Sequence, residues 1–309
     1  MSSLKRSIAI PLTALSCLAR TVNPQRNDNI FVVSGSPRAG TTWLAETLAR
    51  TLNTHRVYWE PLQDGNIALP GALKTSKRPF IEHDNQLSFA EKKFFEDLLY
   101  GKQANSHLLR LKKYPRNAFT VLSSGPLLIK FVRGNGVLSY LHQQFEIPKP
   151  VVIIRHPCAV VASQLRMGRW GDHPHVHPKV LERYPGIRSV VSTGKPLHQR
   201  LAMTWAGDVL AARAQQNSVH VIYYEHLVQR GAEELFPVFE DWGLACGGLD
   251  EALRLPSTTA RDWSDLTTVE SKLGRWVDEL SVTAIEEILE TVSRMGITDY
   301  GKDPSAVAI

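Results

Sequence analysis

Cysteine is scarce in this chain. Cys17, Cys158 and Cys246 are the only three in 309 residues, they lie far apart, and no C-x-x-C occurs. Three scattered thiols make no even framework, which excludes a disulfide scaffold and leads us to expect a reducing, cytoplasmic compartment. No run of eighteen apolar residues exists, so no segment reads as a spanning helix. Repeats, heptads and low-complexity tracts are missing too, which excludes solenoids and fibrous rods. Neither sign of charge dominates: 36 Lys plus Arg oppose 30 Asp plus Glu, for a formal charge of +6. Such a surplus favours an anionic partner without choosing one. Hydrophobic residues make up 43% and charged residues 21%, enough apolar content to support a packed core and to exclude a disordered chain.

At the N-terminus, Lys5 and Arg6 precede the apolar stretch Ser7 to Ala19. This mimics a short secretion signal, but Pro11 interrupts it and no small-x-small cleavage site follows before Arg20. Residues 1–28 therefore read as a basic, weakly ordered lead-in that touches a membrane surface, if at all, through residues 1–20.

Beyond it the pattern is regular. Ile30 to Ser34 (I-F-V-V-S), Leu127 to Val132, Pro150 to Ile154 and Val219 to Tyr223 are short apolar runs rich in β-branched residues, hence buried strands. Helical spacing follows over Thr41 to Asn53, Gly136 to Phe145, Cys158 to Met167, Leu197 to Gln216 and Thr283 to Met295, the last with Gly296 at its end. Alternating strands and helices predict an α/β fold, a single doubly wound domain over residues 29–300 around a central parallel sheet. A tail covers 301–309. The polar, weakly periodic stretches at about 64–120 and 168–195 read as insertions over the sheet, and the Lys-rich segment 102–116 as a solvated face.

The most informative residues are Ser34 to Trp43, S-G-S-P-R-A-G-T-T-W. Gly35 and Gly40 frame four residues between a strand and a helix, as in a phosphate-cradling loop whose N–H groups turn toward an anion at the helix N-terminus. The lysine that serves β- and γ-phosphates in nucleoside triphosphatases is missing, and Thr41 stands in its place. The basic residue, Arg38, has moved into the loop, and Thr41 and Thr42 add hydroxyls. This suits a 5′-phosphate carrying a reactive group better than a triphosphate. A second anion site reads from Ile153 to Ser163, I-I-R-H-P-C-A-V-V-A-S. Arg155 leaves a strand end, Pro157 opens a helix, and Ser163 lies two turns on. A guanidinium fork plus a hydroxyl is phosphate-binding chemistry.

The run Pro37, Arg38, Ala39, Gly40, Thr41, Thr42, Trp43 resembles the 5′-phosphosulfate loop of sulfotransferases that use 3′-phosphoadenosine 5′-phosphosulfate (PAPS), with Ala39 where that family carries Ser or Thr. Arg155 and Ser163 resemble its 3′-phosphate site. Tyr224, in Y-Y-E-H-L, and Trp43 match its adenine contacts. Lys272 and Arg275, in K-L-G-R-W, fall where a family segment closes over the 3′-phosphate, although the family's R-K-G positions hold Val269, Glu270 and Ser271 here. The resemblance implies in-line, metal-independent transfer of a sulfuryl group from PAPS to an acceptor hydroxyl or amine. The acceptor would be a glycan, lipid, small molecule or peptide, with no nucleic-acid partner.

Sulfuryl transfer needs charge stabilisation, which Arg38, the loop N–H groups and Lys130 can supply, and a base. In the cytosolic aryl branch a His follows the Lys by two residues. Here that position is Val132, so the resemblance is closer to branches with a carboxylate base, and Glu60 in V-Y-W-E-P is the candidate, with Pro61 expected to hold the turn extended. His55, His83 and His107 are alternatives. His173, His175 and His177 would share one side of an extended segment, but no Cys is nearby and a lid is the preferred reading over a metal site. The runner-up function is a P-loop small-molecule kinase or nucleoside triphosphatase. A non-catalytic nucleic-acid or membrane-surface binder is a third class.

Overall fold

The computed structural model describes residues 2–63, 69–76, 78–168, 173–259, 268–305 and 307. Five strands, β1 (Ile30–Gly35), β2 (Val57–Trp59), β3 (Leu127–Lys130), β4 (Val151–Ile154) and β5 (His220–Tyr223), form one sheet in the order β2-β3-β1-β4-β5. Every pairing is parallel. Helices α1 (Ser2–Val22), α2 (Thr41–Thr51), α3 (Gly71–Thr75), α4 (Phe89–Leu99), α5 (Leu138–Phe145) and α6 (Pro157–Met167) come first. Then follow α7 (Pro178–Arg183), α8 (Leu197–Arg213), α9 (Tyr224–Arg230), α10 (Phe236–Asp241), α11 (Leu249–Arg254), α12 (Val269–Glu279) and α13 (Val282–Arg294).

The strands read as unbroken apolar runs because both faces of the sheet are covered. Side chains alternate between two cores. Ile30, Val32, Ile129 and Val152 face one that also takes Phe94, Phe95, Trp205 and Ile288 from α4, α8 and α13. Phe31, Val33, Leu128 and Ile153 face the other, with Trp43, Leu44 and Leu48 of α2 and Phe239 of α10. The chain thus winds both ways from β1, and the sheet's order reverses beside that strand. In such sheets ligands bind beyond the strands' carboxyl ends at this switch point.

Two stretches differ from the sequence expectation. The lead-in is a helix whose second half docks firmly. Ser16 Oγ donates to Gly101 O at 2.5 Å and Thr13 Oγ to Ala104 O at 2.7 Å. The buried Arg20 donates to Val121 O and Ser123 O. The weakly periodic insertion carries a regular helix, α4, begun by a Ser88–Glu91 capping box and seated through Phe94, Phe95, Leu98 and Leu99. Among the described residues no helix is long and apolar enough to cross a membrane.

Candidate active site

All five strands deliver residues from their carboxyl ends to one cavity of about 640 Å³: Arg38 after β1, Glu60 after β2, Lys130 at the end of β3, Arg155 after β4 and Tyr224 after β5. That volume lies within the range of small-molecule sites. The glycine loop begins where β1 ends. At Gly35 a Cβ would sit 2.5 Å from Ile153 O, and at Gly40, with φ of 97°, it would sit 2.7 Å from the Tyr224 ring. The loop therefore needs glycine at both ends: one to let β1 pass β4, the other to let Tyr224 lie against the start of α2. Ala39 is buried away from the cavity, its N–H closing the turn onto Ser36 O at 3.0 Å. The other residues singled out in the loop, Pro37, Arg38, Gly40, Thr41, Thr42 and Trp43, line the cavity.

The two stretches read from sequence as separate anion sites meet in this cavity. Arg38, at φ of 77°, sends its Nε to donate to Ser163 Oγ at 2.9 Å. Gln164 Nε2, one residue on, donates to Pro37 O at 2.9 Å and pins the loop to α6. Arg155 stands over Tyr224, its guanidinium carbon 4.2 Å from the ring centroid, and Tyr224 meets Trp43 edge-on at 5.5 Å. Arg155 also donates to Lys272 O at 3.4 Å. Behind it, Glu225 accepts the His156 N–H at 2.9 Å and the Tyr300 hydroxyl at 3.4 Å. His156 Nδ1 accepts the Cys158 N–H at the start of α6, and its Nε2 meets Gly301 O at 2.9 Å. Burial, opposed by the hydrogen bond to Gly301, lowers the His156 imidazole to about 4, so it is a neutral structural bridge.

Glu60 and Lys130 form an ion pair in the cavity, Nζ to Oε1 at 2.6 Å. Lys130 is only 1% exposed. Burial pushes its ammonium below the usual lysine value, the nearby Arg110 and Arg38 push the same way, and Glu60 opposes them. Burial alone would raise the Glu60 carboxyl. The Lys130 charge and hydrogen bond, with Arg110 and Arg133 beyond, outweigh it and hold Glu60 below the usual carboxylate range. Contrary to the extended turn expected before Pro61, Glu60 has a positive φ of 53°. Its N–H donates to Lys130 O at 2.7 Å, and its carbonyl accepts the Gln63 N–H at 3.0 Å. These two bonds override the preference that proline imposes.

Lys272 and Arg275 reach the cavity from α12. Arg275 Nε donates to Glu279 Oε1 at 2.8 Å, and the same carboxylate takes Arg166 of α6 at 2.5 Å. His55, His83 and His107 are exposed and lie outside the cavity. His177 caps α7, its ring accepting the Lys179 N–H, and stacks on Phe80. The His175 N–H donates to Thr204 Oγ. Asp172 of the same segment lies outside the described residues. Among the described residues no His, Cys, Asp and Glu group is arranged to hold a metal ion.

Sequence reasoning missed Arg110, Arg133 and Arg166, all on the cavity wall. Arg166 carried a readable signal: it lies three residues after Ser163 and shares its helix face. Among the described residues, the buried Arg155 Nε and Trp276 Nε1 on the wall find no acceptor. Buried donors of this kind call for an acceptor-bearing ligand.

No family model matches the chain, and no curated protein does. Solved structures do resemble it. A mouse sulfotransferase complexed with PAP is 14% identical, covering 92% of this chain and 91% of its own, with a TM-score of 0.45. The sulfotransferase domain of the curacin biosynthetic pathway is 15% identical over 88% of this chain and 98% of its own, at 0.43. That of the Synechococcus PCC 7002 olefin synthase is 16% identical over 88% and 96%, at 0.42. All three are sulfotransferases. Identities and TM-scores this low leave the functional argument to the residues of the cavity itself.

Proposed function

We propose that this chain is a sulfotransferase, with its catalytic domain in residues 29–300. It would move the sulfuryl group of PAPS to an acceptor hydroxyl or amine and release adenosine 3′,5′-bisphosphate. The observation that carries the reading is the single cavity in which Arg38 of the glycine loop touches Ser163 of the second anion site. A ligand with anionic groups at both ends and an aromatic base between them fits that wall. The loop N–H groups, Thr41, Thr42 and Arg38 take the 5′ end. Arg155 and Ser163 take the 3′-phosphate, aided by Lys272 and Arg275. Trp43 and Tyr224 flank the base. The orphaned Arg155 Nε is a donor for the phosphate, and the missing Cβ at Gly40 lets the Tyr224 ring pack against the loop that would hold the 5′ end.

PAPS supplies a sulfuryl group on a phosphate leaving group. The acceptor oxygen forms a bond to sulfur as the bond from sulfur to the phosphate oxygen breaks, and the acceptor proton goes to Glu60. Once protonated, Glu60 no longer holds Lys130 at full strength. The ammonium is then free to stabilise the charge that develops on the departing phosphate oxygen. One buried pair thus couples proton removal to leaving-group stabilisation. Arg38 and the loop amides supply the remaining electrostatic support, as in loose phosphoryl transfer.

Calorimetry with adenosine 3′,5′-bisphosphate and transfer assays with labelled PAPS test this reading. Magnesium-independent binding is expected, and Arg155→Ala should weaken it by about 10- to 100-fold, the loss of a charge-assisted contact. Magnesium-dependent ATP turnover with no affinity for the bisphosphate would instead establish the kinase alternative.

A further inference from the structure

Helix α1 docks through polar side chains and leaves its apolar ones outside, the reverse of an ordinary surface helix. Thr13, Ser16 and Arg20 face the body of the protein and bond to the carbonyls of Ala104, Gly101, Val121 and Ser123. Leu15, Leu18 and Val22, spaced three and four residues apart, share the opposite side of the helix. Leu18 is 63% exposed and Val22 81%.

The 3₁₀ helix Pro115–Leu122, to which Arg20 is fastened through Val121 O, repeats the arrangement. At three residues per turn Arg116, Phe119 and Leu122 fall in one row. All three are exposed, Phe119 at 73% and Leu122 at 55%, whereas Thr120 and Val121 between them are buried. Apolar side chains scattered singly over a surface need no partner, but ordered rows on two elements bonded to each other mark an interaction site.

Charge selects the partner. Neither residues 1–27 nor residues 98–145 contain an Asp or Glu. Lys112 and Arg116 are exposed and pair with no carboxylate among the described residues. A nucleic acid would answer these cations and leave the apolar rows wet. An isologous contact with a second copy would set one acid-free stretch against another, like charge facing like charge. A bilayer surface bearing anionic headgroups satisfies both features: the boundary between headgroups and acyl chains takes the apolar rows, and the headgroups take the cations.

We infer that the exposed rows of α1 and of Pro115–Leu122 dock this protein on an anionic lipid surface, with Leu15, Leu18, Val22, Phe119 and Leu122 entering the headgroup boundary and Lys112 and Arg116 meeting the headgroups. The helix lies on the membrane and does not cross it. This docking is independent of what the cavity binds.

The test is co-sedimentation of the whole protein with vesicles of phosphatidylcholine alone and of phosphatidylcholine mixed with phosphatidylglycerol. The mixed vesicles should bind it about tenfold or more tightly, and added salt should weaken that binding. Three double variants follow: Leu18→Ser with Val22→Ser, Phe119→Ser with Leu122→Ser, and Lys112→Glu with Arg116→Glu. Each should lower the partition to mixed vesicles by about tenfold or more, the worth of the apolar burial or charge attraction removed. All the substituted side chains are exposed, so the melting temperature of each variant should match the wild type and serves as the control for folding. Failure to bind the mixed vesicles, equal binding to both vesicle types, or binding that survives the apolar substitutions on either element overturns the proposal. So does a lipid-free dimer, seen by sedimentation velocity, that the apolar substitutions dissociate, because it would assign these rows to a second copy of the chain.

Discussion

Backbone strain and chemistry coincide at three side chains. Of the five non-glycine residues with positive φ among those described, Arg38, Glu60 and Arg110 all line the cavity. Each such conformation costs on the order of 1 kcal/mol or more and persists only where its surroundings enforce it. Here Lys130 O holds the Glu60 N–H and Ser163 holds the Arg38 side chain. Glu60→Gln keeps the shape and removes the proton acceptor. It should lower turnover by about 10²- to 10⁴-fold, the usual contribution of a general base, with bisphosphate affinity nearly unchanged. Because the neighbouring cations keep Glu60 below its ordinary carboxylate value, the wild-type pH–rate profile should show no acid limb from this residue above about pH 5. Steady-state rates from pH 5 to 8 check both points. Near-normal turnover in the variant removes Glu60 from the role.

At the level of elements, what could be read from sequence was what local periodicity encodes. β1, β3 and β4 are continuous apolar runs and the glycine loop has fixed spacing, so strand, loop and helix were visible before any contact was known. α4 was hidden because its buried residues Phe94, Phe95, Leu98 and Leu99 sit among lysines and glutamates. Its capping box, Ser88 and Glu91, was the available signal. Arg110 was hidden for another reason. It sits in a turn whose place beside β2 is set by a long-range bond, from Trp59 N–H to Leu108 O, and no local pattern encodes that. The junction of β4, α6 and α9 carries a further consequence. Burial raises Glu225 to about 7, against the hydrogen bonds from the His156 and Glu225 N–H groups, the Arg155 charge and the Tyr300 hydroxyl. The unfolded carboxyl titrates near 4.5, so between that value and about 7 the folded state holds the extra proton. This group's contribution to stability is therefore full at low pH, falls as pH rises through that window, and is flat above it. Glu225→Gln keeps an acceptor for the His156 N–H and cannot ionise. Its melting temperature relative to wild type should climb from pH 5 to pH 7.5. A constant difference across that range would show that Glu225 ionises at its ordinary value.

Across the whole molecule the charge is concentrated where the chemistry is. The cavity wall carries eight cationic side chains and two carboxylates. Set against 36 basic and 30 acidic residues in the chain, this leaves 28 of each sign elsewhere, so the formal surplus of +6 equals the excess at one site. In sequence the surplus looked dispersed because its members come from the ends of β1, β3 and β4, from the turn that carries Arg110, from α6 and from α12. The fold collects them. Like charges gathered in a partly desolvated cleft repel one another and destabilise the ligand-free protein, which makes the site a stability cost that its ligand removes. Two trends of opposite sign follow. Raising sodium chloride from about 0.05 to 0.5 M shortens the screening length from roughly 14 to 4 Å, and should raise the melting temperature of the ligand-free protein. The same salt should shrink the increment given by a fixed concentration of adenosine 3′,5′-bisphosphate, because screening weakens the attraction that binds it. At low salt and a hundredfold excess over its dissociation constant, the bisphosphate should add about 2.7 kcal/mol. Thermal melts over a salt series with and without the nucleotide give both slopes. If the ligand-free melting temperature falls with salt while the nucleotide increment stays constant, the cleft's cations are already neutralised within the protein and do not serve to bind an anionic ligand.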